Sequence, residues 1–377
     1  MNKLVRKPNR TLAQQLRDIL VEQIRNGMLR PGDKVASERE LTRQYGVSRA
    51  TVRNTVLGLA AEGLVTRSVG SGTYVVPDAG TRAALEGETG TIGLLVGRQH
   101  VPVHRIRDDF YYYKVMEGVQ VELAASRQHL LFSYLDDDEQ ENARIVAGLE
   151  GKVDGVLLAE AGSSRLVEEI HARGLPCVLV NPSIEDIDQR FDSLGVNNRS
   201  GAHKAIAFLA GLGHRRIGCL RGPAASQAAQ DRFDGYCRAL SEAGIGFDAS
   251  LVVEVEGWTA EEGAAAARGL QARRRDFTAL FCASDTLALG AMAVLGGAAV
   301  VPGRISVIGF DDISLASHSV PPLTTVRSPT FELGRLAGRQ LLARIRNPSL
   351  LVSGVLLSPD LVTRQTCAAP RAEQVGQ

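Results

Sequence analysis

Two hydrophobic patterns divide the chain, and the change falls near residue 78. In the first part, apolar residues recur every three to four positions, which predicts an amphipathic helix over residues 11–27. Its apolar positions are Leu12, Leu16, Ile19, Leu20 and Ile24. Beyond residue 90, short continuous apolar runs alternate with helical segments. That alternation is typical of buried parallel strands joined by helices.

Two further helices and a hairpin are predicted between residues 37 and 76. The preceding stretch "RPGDKV" reads as a turn. Ser37 and Glu40 have the spacing of a capping box, so a helix begins there, and Gly46 ends it. Ser48 can cap the next helix. The stretch "EGLVTRSVGSGTYVV" holds two β-rich runs around a Gly-Ser-Gly tip, which predicts a hairpin.

The rest of the chain predicts a linker and a larger α/β domain. Residues 77–90 contain few large apolar residues and are typical of a linker. About eight strands are predicted after it, from the runs "TIGLLVG", "HLLFSYL", "DGVLLAE", "PCVLVN", "RIGCLRG", "LVVEVEG", "ALFCAS" and "ISVIGFD". These are too many for one small doubly wound domain, so we expect two similar lobes. The predicted domains are residues 1–76, a linker over 77–90 and a two-lobed domain over 91–368.

Charge is distributed unevenly between these parts. Residues 1–78 hold 13 Lys and Arg against 7 Asp and Glu, a net charge of +6, whereas the remainder holds 30 against 35, a net charge of −5. A small basic domain on an acidic body indicates that the small domain alone meets a polyanion.

The predicted second and third helices have the features of a DNA-reading unit. A tight turn over residues 46–48 joins them, and Arg49, Thr51 and Arg53 lie at or near the start of the third helix. Backbone N–H groups and the helix dipole favour phosphate there, and an arginine can bridge two acceptors on a guanine. The glycines of the hairpin tip, Gly70 and Gly72, allow a close approach to a DNA backbone.

This stretch resembles the GntR-type winged helix–turn–helix. The resemblance covers about residues 10–76 and is carried by "PGDKVASERELTRQYGVSRATVRNTVLGLAAEGLV" and "GSGTYVV". It implies that DNA contacts come from the arginine of the S-E-R-E motif, from the recognition helix and from the wing. Those residues are Arg39, Ser48, Arg49, Thr51, Arg53 and Gly70.

Polar and aromatic residues of the body follow its predicted strands. Three predicted strands end in polar residues: Asn181, the pair Ser284-Asp285, and Asp311. Two further candidates lie shortly after a strand: Arg232 and the single tryptophan, Trp258. Ligands of α/β folds bind at the carboxyl ends of the strands. Carboxylates and arginine suit pairs of hydroxyl groups, and an aromatic ring suits the apolar face of a sugar.

The body resembles the effector domain of LacI/GalR-type repressors. The resemblance spans about residues 90–365 and is carried by "NNRSGAHKAIAFLAGLGHRRIG", "GPAASQAAQDRFDGY", "EGWTAEEGA", "ASDTLALGAM", "ISVIGFDD" and "VPPLTTVRSP". It implies a periplasmic-binding-protein-like fold of two Rossmann-like lobes, side-by-side dimers, and sugar contacts from Arg232, Asp311 and Trp258. Asn181 stands where the family often has Asp, and Ser284 where it often has Asn. A GntR-type head in place of the LacI-type head resembles arabinose-repressor-type regulators.

Three tyrosines in a row, Tyr111, Tyr112 and Tyr113, are an unusual feature of the first lobe. We expect one or two of them to line its wall and at least one to pack, with Tyr112 as the candidate contact. Asn197-Asn198 replaces the usual Asp-Asn. These departures bear on which effector binds and not on its class.

Other classes of protein fit the sequence poorly. The chain lacks a signal core or an apolar run of membrane-spanning length, and its five scattered cysteines form no C-x-x-C pair, so we expect a cytoplasmic protein without disulfides. His100 and His104 stand four positions apart, but Pro102 between them argues against a shared helix face and so against a metal site. An aminotransferase-like body with pyridoxal phosphate needs a lysine in its later half, but the lysines after the linker are Lys114, Lys152 and Lys204.

The sequence therefore predicts a transcription factor without enzymatic activity, cofactor or metal. We expect a homodimeric repressor that leaves a double-stranded operator when a sugar binds. A corepressor-type regulator, which binds DNA when loaded with a non-sugar molecule such as a purine, is the alternative. An enzyme fused to a DNA-binding head is a third possibility, against which stands the lack of a nucleophile–base set or a phosphate loop in the sequence.

Overall fold

The structure is a computed structural model that describes Leu4 and residues 11–25, 27–68, 72–77, 89–97, 110–136, 138–160, 164–182 and 190–371. It divides into two compact units, Met1–Thr89 and Gly90–Gln377. Among the described residues, no helix combines the length and the apolar character needed to cross a bilayer.

The first unit packs three helices against a three-stranded sheet of order β1-β3-β2. Its elements are α1 (Leu12–Arg25), β1 (Lys34–Val35), α2 (Glu38–Tyr45), α3 (Arg49–Ala61), β2 (Val65–Ser68) and β3 (Gly72–Val75). The predicted caps are present: Ser37 and Glu40 form a capping box on α2, Gly46 ends it at φ 69°, and Ser48 caps α3. The predicted turn before α2 contains the short strand β1, which pairs with β3.

The second unit contains two six-stranded sheets with helices on their faces. Its helices are α4 (Phe110–Ala125), α5 (Glu139–Ala147), α6 (Ser164–Ala172), α7 (Asn198–Gly211), α8 (Gln227–Glu242), α9 (Ala260–Arg273), α10 (Asp285–Leu295), α11 (Ser314–His318) and α12 (Thr330–Arg346). Its strands are β4 (Thr91–Val96), β5 (His129–Tyr134), β6 (Gly155–Ala159), β7 (Cys177–Val180), β8 (Asp192–Val196), β9 (Ile217–Arg221), β10 (Val252–Glu254), β11 (Ala279–Cys282), β12 (Ser306–Asp311), β13 (Thr324–Arg327), β14 (Gly354–Leu357) and β15 (Asp360–Val362).

The two sheets have the same strand order along the chain. The first lobe runs β5-β4-β6-β7-β8-β14 and the second runs β10-β9-β11-β12-β13-β15. All neighbours are parallel except β13 and β15. This order is that of doubly wound folds, which bind ligands at the carboxyl ends of the strands where the order reverses. The expectation of two Rossmann-like lobes is confirmed, although the predicted strand list omitted β8, β13, β14 and β15.

The chain passes between the two lobes three times. We call these passages crossovers: residues 196–198 join β8 to α7, residues 327–330 join β13 to α12, and residues 357–360 join β14 to β15. A movement of one lobe relative to the other must change the backbone at these three places.

The helices α9 and α10 of the second lobe lie so close that their glycines are required. A Cβ added at Gly290 would lie 1.9 Å from the carbonyl oxygen of Ala260, and one added at Gly263 would lie 2.2 Å from that of Leu287. Close backbone contacts of this kind hold α10 in place, and α10 begins at the strand end that carries Ser284.

We expect Gly290→Ala to destabilise the protein by about 1–3 kcal/mol, because the helices must separate to admit the methyl group. Gly269→Ala on α9 is the matched control, since a Cβ there meets no atom within 4 Å. That control should be neutral or stabilising, because alanine is the better helix former. Urea unfolding of both purified variants measures the difference, and equal midpoints would contradict the close-packing argument.

Candidate nucleic-acid interface and effector cleft

The start of α3 is fixed by two of the predicted DNA-contacting residues. The Ser48 hydroxyl accepts the backbone N–H of Thr51 at 3.1 Å and lies 2.8 Å from the Thr51 hydroxyl. Ser48 is therefore the N-cap of α3, and the Thr51 hydroxyl bonds the capping hydroxyl. Arg49 is the first residue of the helix and Arg53 follows one turn later, so the two exposed side chains share a face.

Some arginines of the first unit form ion pairs and others do not. Arg17 pairs with Glu62 at 3.0 Å, and Arg67 pairs with Glu38 at 3.3 Å. Arg39, Arg49 and Arg53 are exposed and form no ion pair within the part of the chain that the structure describes. Their charges are thus available to an external anion. Gly70, the predicted wing contact, lies outside the described residues.

Arg232 and Asp311 form a buried ion pair in the second lobe, with side chains 5% and 12% exposed. Arg232 Nη2 donates to Asp311 Oδ1 at 2.9 Å, and Nη1 donates to Oδ2 at 3.3 Å. Nη1 also donates to the carbonyl oxygen of Ala283 at 2.6 Å, and Nε donates to Asn198 Oδ1 at 2.9 Å. The guanidinium carbon lies 3.8 Å from the centre of the Phe310 ring, which fixes the plane of the fork.

These bonds use four of the five N–H groups of Arg232. One N–H on Nη2 has no partner within the described ranges. It lies beside a carboxylate oxygen of Asp311, so the pair offers a donor and an acceptor next to each other. Adjacent hydroxyl groups of a small molecule can use such a combination.

Four residues at strand ends have left-handed backbones: Glu160 at φ 49°, Asn181 at 46°, Asp311 at 106° and Asp312 at 58°. A non-glycine residue in this region costs of order 1–3 kcal/mol and is typical of functional sites. Asn181 Oδ1 accepts the backbone N–H of Val196 at 3.2 Å. The carboxyl ends of the strands in both lobes are therefore strained and polar.

The tyrosine that reaches this region is Tyr111 and not the candidate Tyr112. The hydroxyl of Tyr111 accepts a hydrogen bond from Asn181 Nδ2 at 2.8 Å. Tyr112 is 7% exposed and packs with Val115 and Val119 in the core of the first lobe. Burial raises the pKa of the Tyr111 phenol far above its usual range, and the Asp311 carboxylate of the opposite lobe raises it further. Tyr111 of the first lobe therefore lies within electrostatic range of Asp311 of the second lobe, and its phenol stays protonated near neutrality.

Trp258 and Ser284 lie on the second-lobe side of the cleft. The indole ring packs on Gly222, where an added Cβ would lie 2.2 Å from it, and the Arg232 guanidinium lies 5.8 Å from the ring centre. Ser284 is 5% exposed, and its hydroxyl accepts the backbone N–H of Leu287 at 3.2 Å. The structure thus brings Asn181, Arg232, Trp258 and Asp311 to the strand ends, whereas it engages Ser284 as a helix cap.

Two residues near the Arg232–Asp311 pair and Tyr111 were not among the predicted effector contacts. Glu160 follows β6 and contributes to the electrostatic environment of Tyr111. The strand-end rule that selected Asn181 applies to it equally. Asn198 begins α7 and bonds Arg232, a contact that no local pattern signals.

The described residues hold no cluster of metal-binding side chains. The weak histidine pair, His100 and His104, lies outside them. Burial raises the pKa of the Cys177 thiol to about 12, which leaves it unreactive near neutrality.

Two family models match the chain in separate parts. The model of the bacterial regulatory proteins of the gntR family matches residues 12–75, and the periplasmic binding protein-like domain matches residues 206–367.

Similar proteins are known over almost the whole chain. The ribose operon repressor of Haemophilus influenzae is 32% identical over 342 residues, which cover 88% of this chain and 98% of that repressor. The transcriptional regulator GalR of Escherichia coli is 30% identical and is covered over 98% of its length. A solved complex of the transcriptional regulator CelR with cellobiose is 28% identical, covers 88% of this chain and all of its own, and superposes with a TM-score of 0.67. The chain therefore belongs to the LacI/GalR-type repressor family, as a DNA-binding transcriptional regulator rather than an enzyme, with a gntR-type helix–turn–helix domain ahead of its periplasmic-binding-protein-like domain.

Proposed function

We propose that this chain is a cytoplasmic, homodimeric repressor that a sugar releases from its operator. The observation that carries the proposal is the buried Arg232–Asp311 pair, which presents a donor and an acceptor at the strand ends of the second lobe. The Tyr111 phenol of the first lobe lies within electrostatic range of the Asp311 carboxylate, which supports a shared site. Trp258 supplies an apolar face beside the pair.

The sugar class is supported by the chemistry of these side chains. Hydroxyl groups on neighbouring carbons can accept from Arg232 and donate to Asp311, while Asn181 and Tyr111 bind hydroxyls from the other wall. An aromatic ring covers the apolar C–H face of a pyranose or furanose. Two relatives are described with a sugar: the ribose operon repressor, and CelR in complex with cellobiose.

The residues that contact the operator are Arg39, Arg49, Arg53 and, in the wing, Gly70. Ser48 and Thr51 fix the start of the recognition helix. A dimer presents two such units to a palindromic site.

Sugar binding closes the lobes and favours the arrangement of the two DNA-binding units that does not fit the operator. A ligand with equal affinity for both arrangements would release nothing. Coupling of about 1–3 kcal/mol is typical and gives a five- to 150-fold change in affinity.

A thermal-shift screen tests the effector class. D-Ribose, D-galactose, cellobiose and hypoxanthine are added separately to the full-length protein, because a ligand that binds the folded state must raise the melting midpoint. We expect a sugar to raise it and also to dissociate the operator complex. A shift with hypoxanthine alone, accompanied by tighter DNA binding, would support the corepressor alternative instead.

Operator affinity should fall steeply with salt. Each neutralised phosphate contributes about −0.9 to the slope of log affinity against log salt. If two or three arginines of each head engage phosphates in a dimer, the slope should be about −4 to −5. Fluorescence-anisotropy titrations at several KCl concentrations measure it, and a flat profile would argue against phosphate contacts by these arginines.

A further inference from the structure

Asn198 and Ser328 lie on two different crossovers, and both contact the Arg232–Asp311 pair. Arg232 Nε donates to Asn198 Oδ1 at 2.9 Å, and the Ser328 hydroxyl donates to Asp311 Oδ1 at 3.1 Å. Asn198 is 7% exposed and Ser328 is 4% exposed. Water therefore cannot easily replace either contact.

The third crossover is bonded to the first. The backbone N–H of Asn197 donates to the carbonyl oxygen of Leu357 at 2.8 Å. On α7, Lys204 Nζ donates to the carbonyl oxygen of Pro359 at 2.6 Å. The ion pair and all three crossovers thus belong to one network of hydrogen bonds.

We propose that Asn198 and Ser328 are positioning residues that fix the Arg232–Asp311 pair to the crossovers, so that a ligand that moves the pair also moves the hinge. The proposal deepens the proposed function, because it takes the pair to be the effector contact. A ligand that bonds the remaining Nη2–H or the Asp311 carboxylate shifts both side chains. The buried amide and hydroxyl must follow, since leaving a buried polar group unsatisfied is unfavourable.

Hydrogen–deuterium exchange of the full-length, ligand-free protein tests the network. Ser328→Ala is expected to speed exchange of the amides of residues 197–201, on the other crossover, by up to about tenfold, the effect of losing one net hydrogen bond. Three amides of this segment have acceptors in the native protein: Asn197 N bonds Leu357 O, Ser200 N bonds Asn197 Oδ1, and Gly201 N bonds Asn197 O. Ser328→Thr, which keeps the hydroxyl, should restore slow exchange.

The reciprocal variant and a control sharpen the result. Asn198→Ala should speed exchange at Thr330 and Leu333, whose amides bond Ser328 O and Pro329 O. Ser353→Ala is the control, because its hydroxyl also donates to a carboxylate, that of Asp192 at 3.2 Å, without contacting the pair. If each variant changes exchange only beside its own position, or if the control has the same effect at residues 197–201, the proposal is wrong.

A second measurement separates this proposal from the sugar response. The melting midpoint and the hydrogen–deuterium exchange of wild type and of Ser328→Ala are measured with D-ribose and with cellobiose. A sugar that raises the melting midpoints of both proteins should slow amide exchange at residues 197–201 in the wild type but only slightly in the variant. Equal slowing in the two proteins would overturn the positioning role. If neither sugar raises the wild-type midpoint, the sugar proposal fails for these two ligands, and the ligand-free exchange still decides the role of Asn198 and Ser328.

Discussion

Replacing Arg49 by alanine is expected to abolish specific operator binding and to leave the thermal response to sugar intact. Arg49 is the exposed first residue of α3, with no acidic partner among the residues that the structure describes. A good bidentate contact to a base is worth about 1–3 kcal/mol. In a dimer the loss applies once for each recognition helix. Fluorescence anisotropy with DNA fragments from the chain's own genomic neighbourhood measures the effect.

Arg17→Ala is the matched control for this variant. Arg17 belongs to the same small unit, but its guanidinium pairs with Glu62 at 3.0 Å. Its removal should leave operator affinity within a few-fold of wild type. Tight operator binding by Arg49→Ala would show that α3 does not read DNA through this residue. Equal losses of operator affinity in both variants would mean that the overall positive charge of the unit matters and not a specific contact of Arg49.

The head could be predicted closely because its signals are local. A serine hydroxyl caps the backbone of its own helix, and Gly46 ends α2 with a left-handed backbone that few other residues adopt. Each of these capping residues lies within four positions of the backbone groups that it affects. The short strand β1 was missed because two residues become a strand only through pairing with β3, some forty positions later.

The strands missed in the body depend on distant partners in the same way. β14 is a four-residue edge strand, and within the described part of the chain β8 is its single partner. β8 begins at Asp192, a buried carboxylate that accepts from Arg344 Nε at 2.9 Å. Buried strands are recognised in a sequence by continuous apolar residues, and an acidic residue at the start of β8 interrupts that pattern. The arginine that pairs with it lies on α12, far along the sequence.

The cleft was predictable in its strand-end residues but not in its contacts. Asn181 and Asp311 follow apolar runs, so the sequence indicates their place, whereas the bond from Arg232 to Asp311 spans 79 positions. The choice among the tyrosines could have been made from periodicity. Tyr112 shares a helical stripe with Val115 and Val119, which indicates burial, and Tyr111 stands one position off that stripe.

Replacing Asp311 by asparagine is expected to produce a protein that still binds the operator but no longer responds to sugar. The amide keeps the size of the side chain but removes the charge opposite Arg232, and it replaces one of the two acceptor oxygens by an N–H donor that a ligand hydroxyl cannot use in the same way. Removing one partner of a buried ion pair costs about 3–5 kcal/mol, so a lower melting midpoint is expected as well. Operator complexes titrated with the sugar that raises the wild-type midpoint measure the response.

Asp312→Asn separates the loss of stability from the loss of sugar binding. Asp312 is the next residue, its side chain is 9% exposed, and it pairs with Arg327 at 2.7 Å and Arg364 at 2.6 Å. Its variant loses a comparable buried carboxylate without touching Arg232, so it should melt earlier yet still release DNA on sugar addition. Because only the residue bonded to Arg232 should abolish the response, normal induction in Asp311→Asn would place the effector site elsewhere. Loss of induction in both variants would mean that any weakening of this strand end uncouples the two domains.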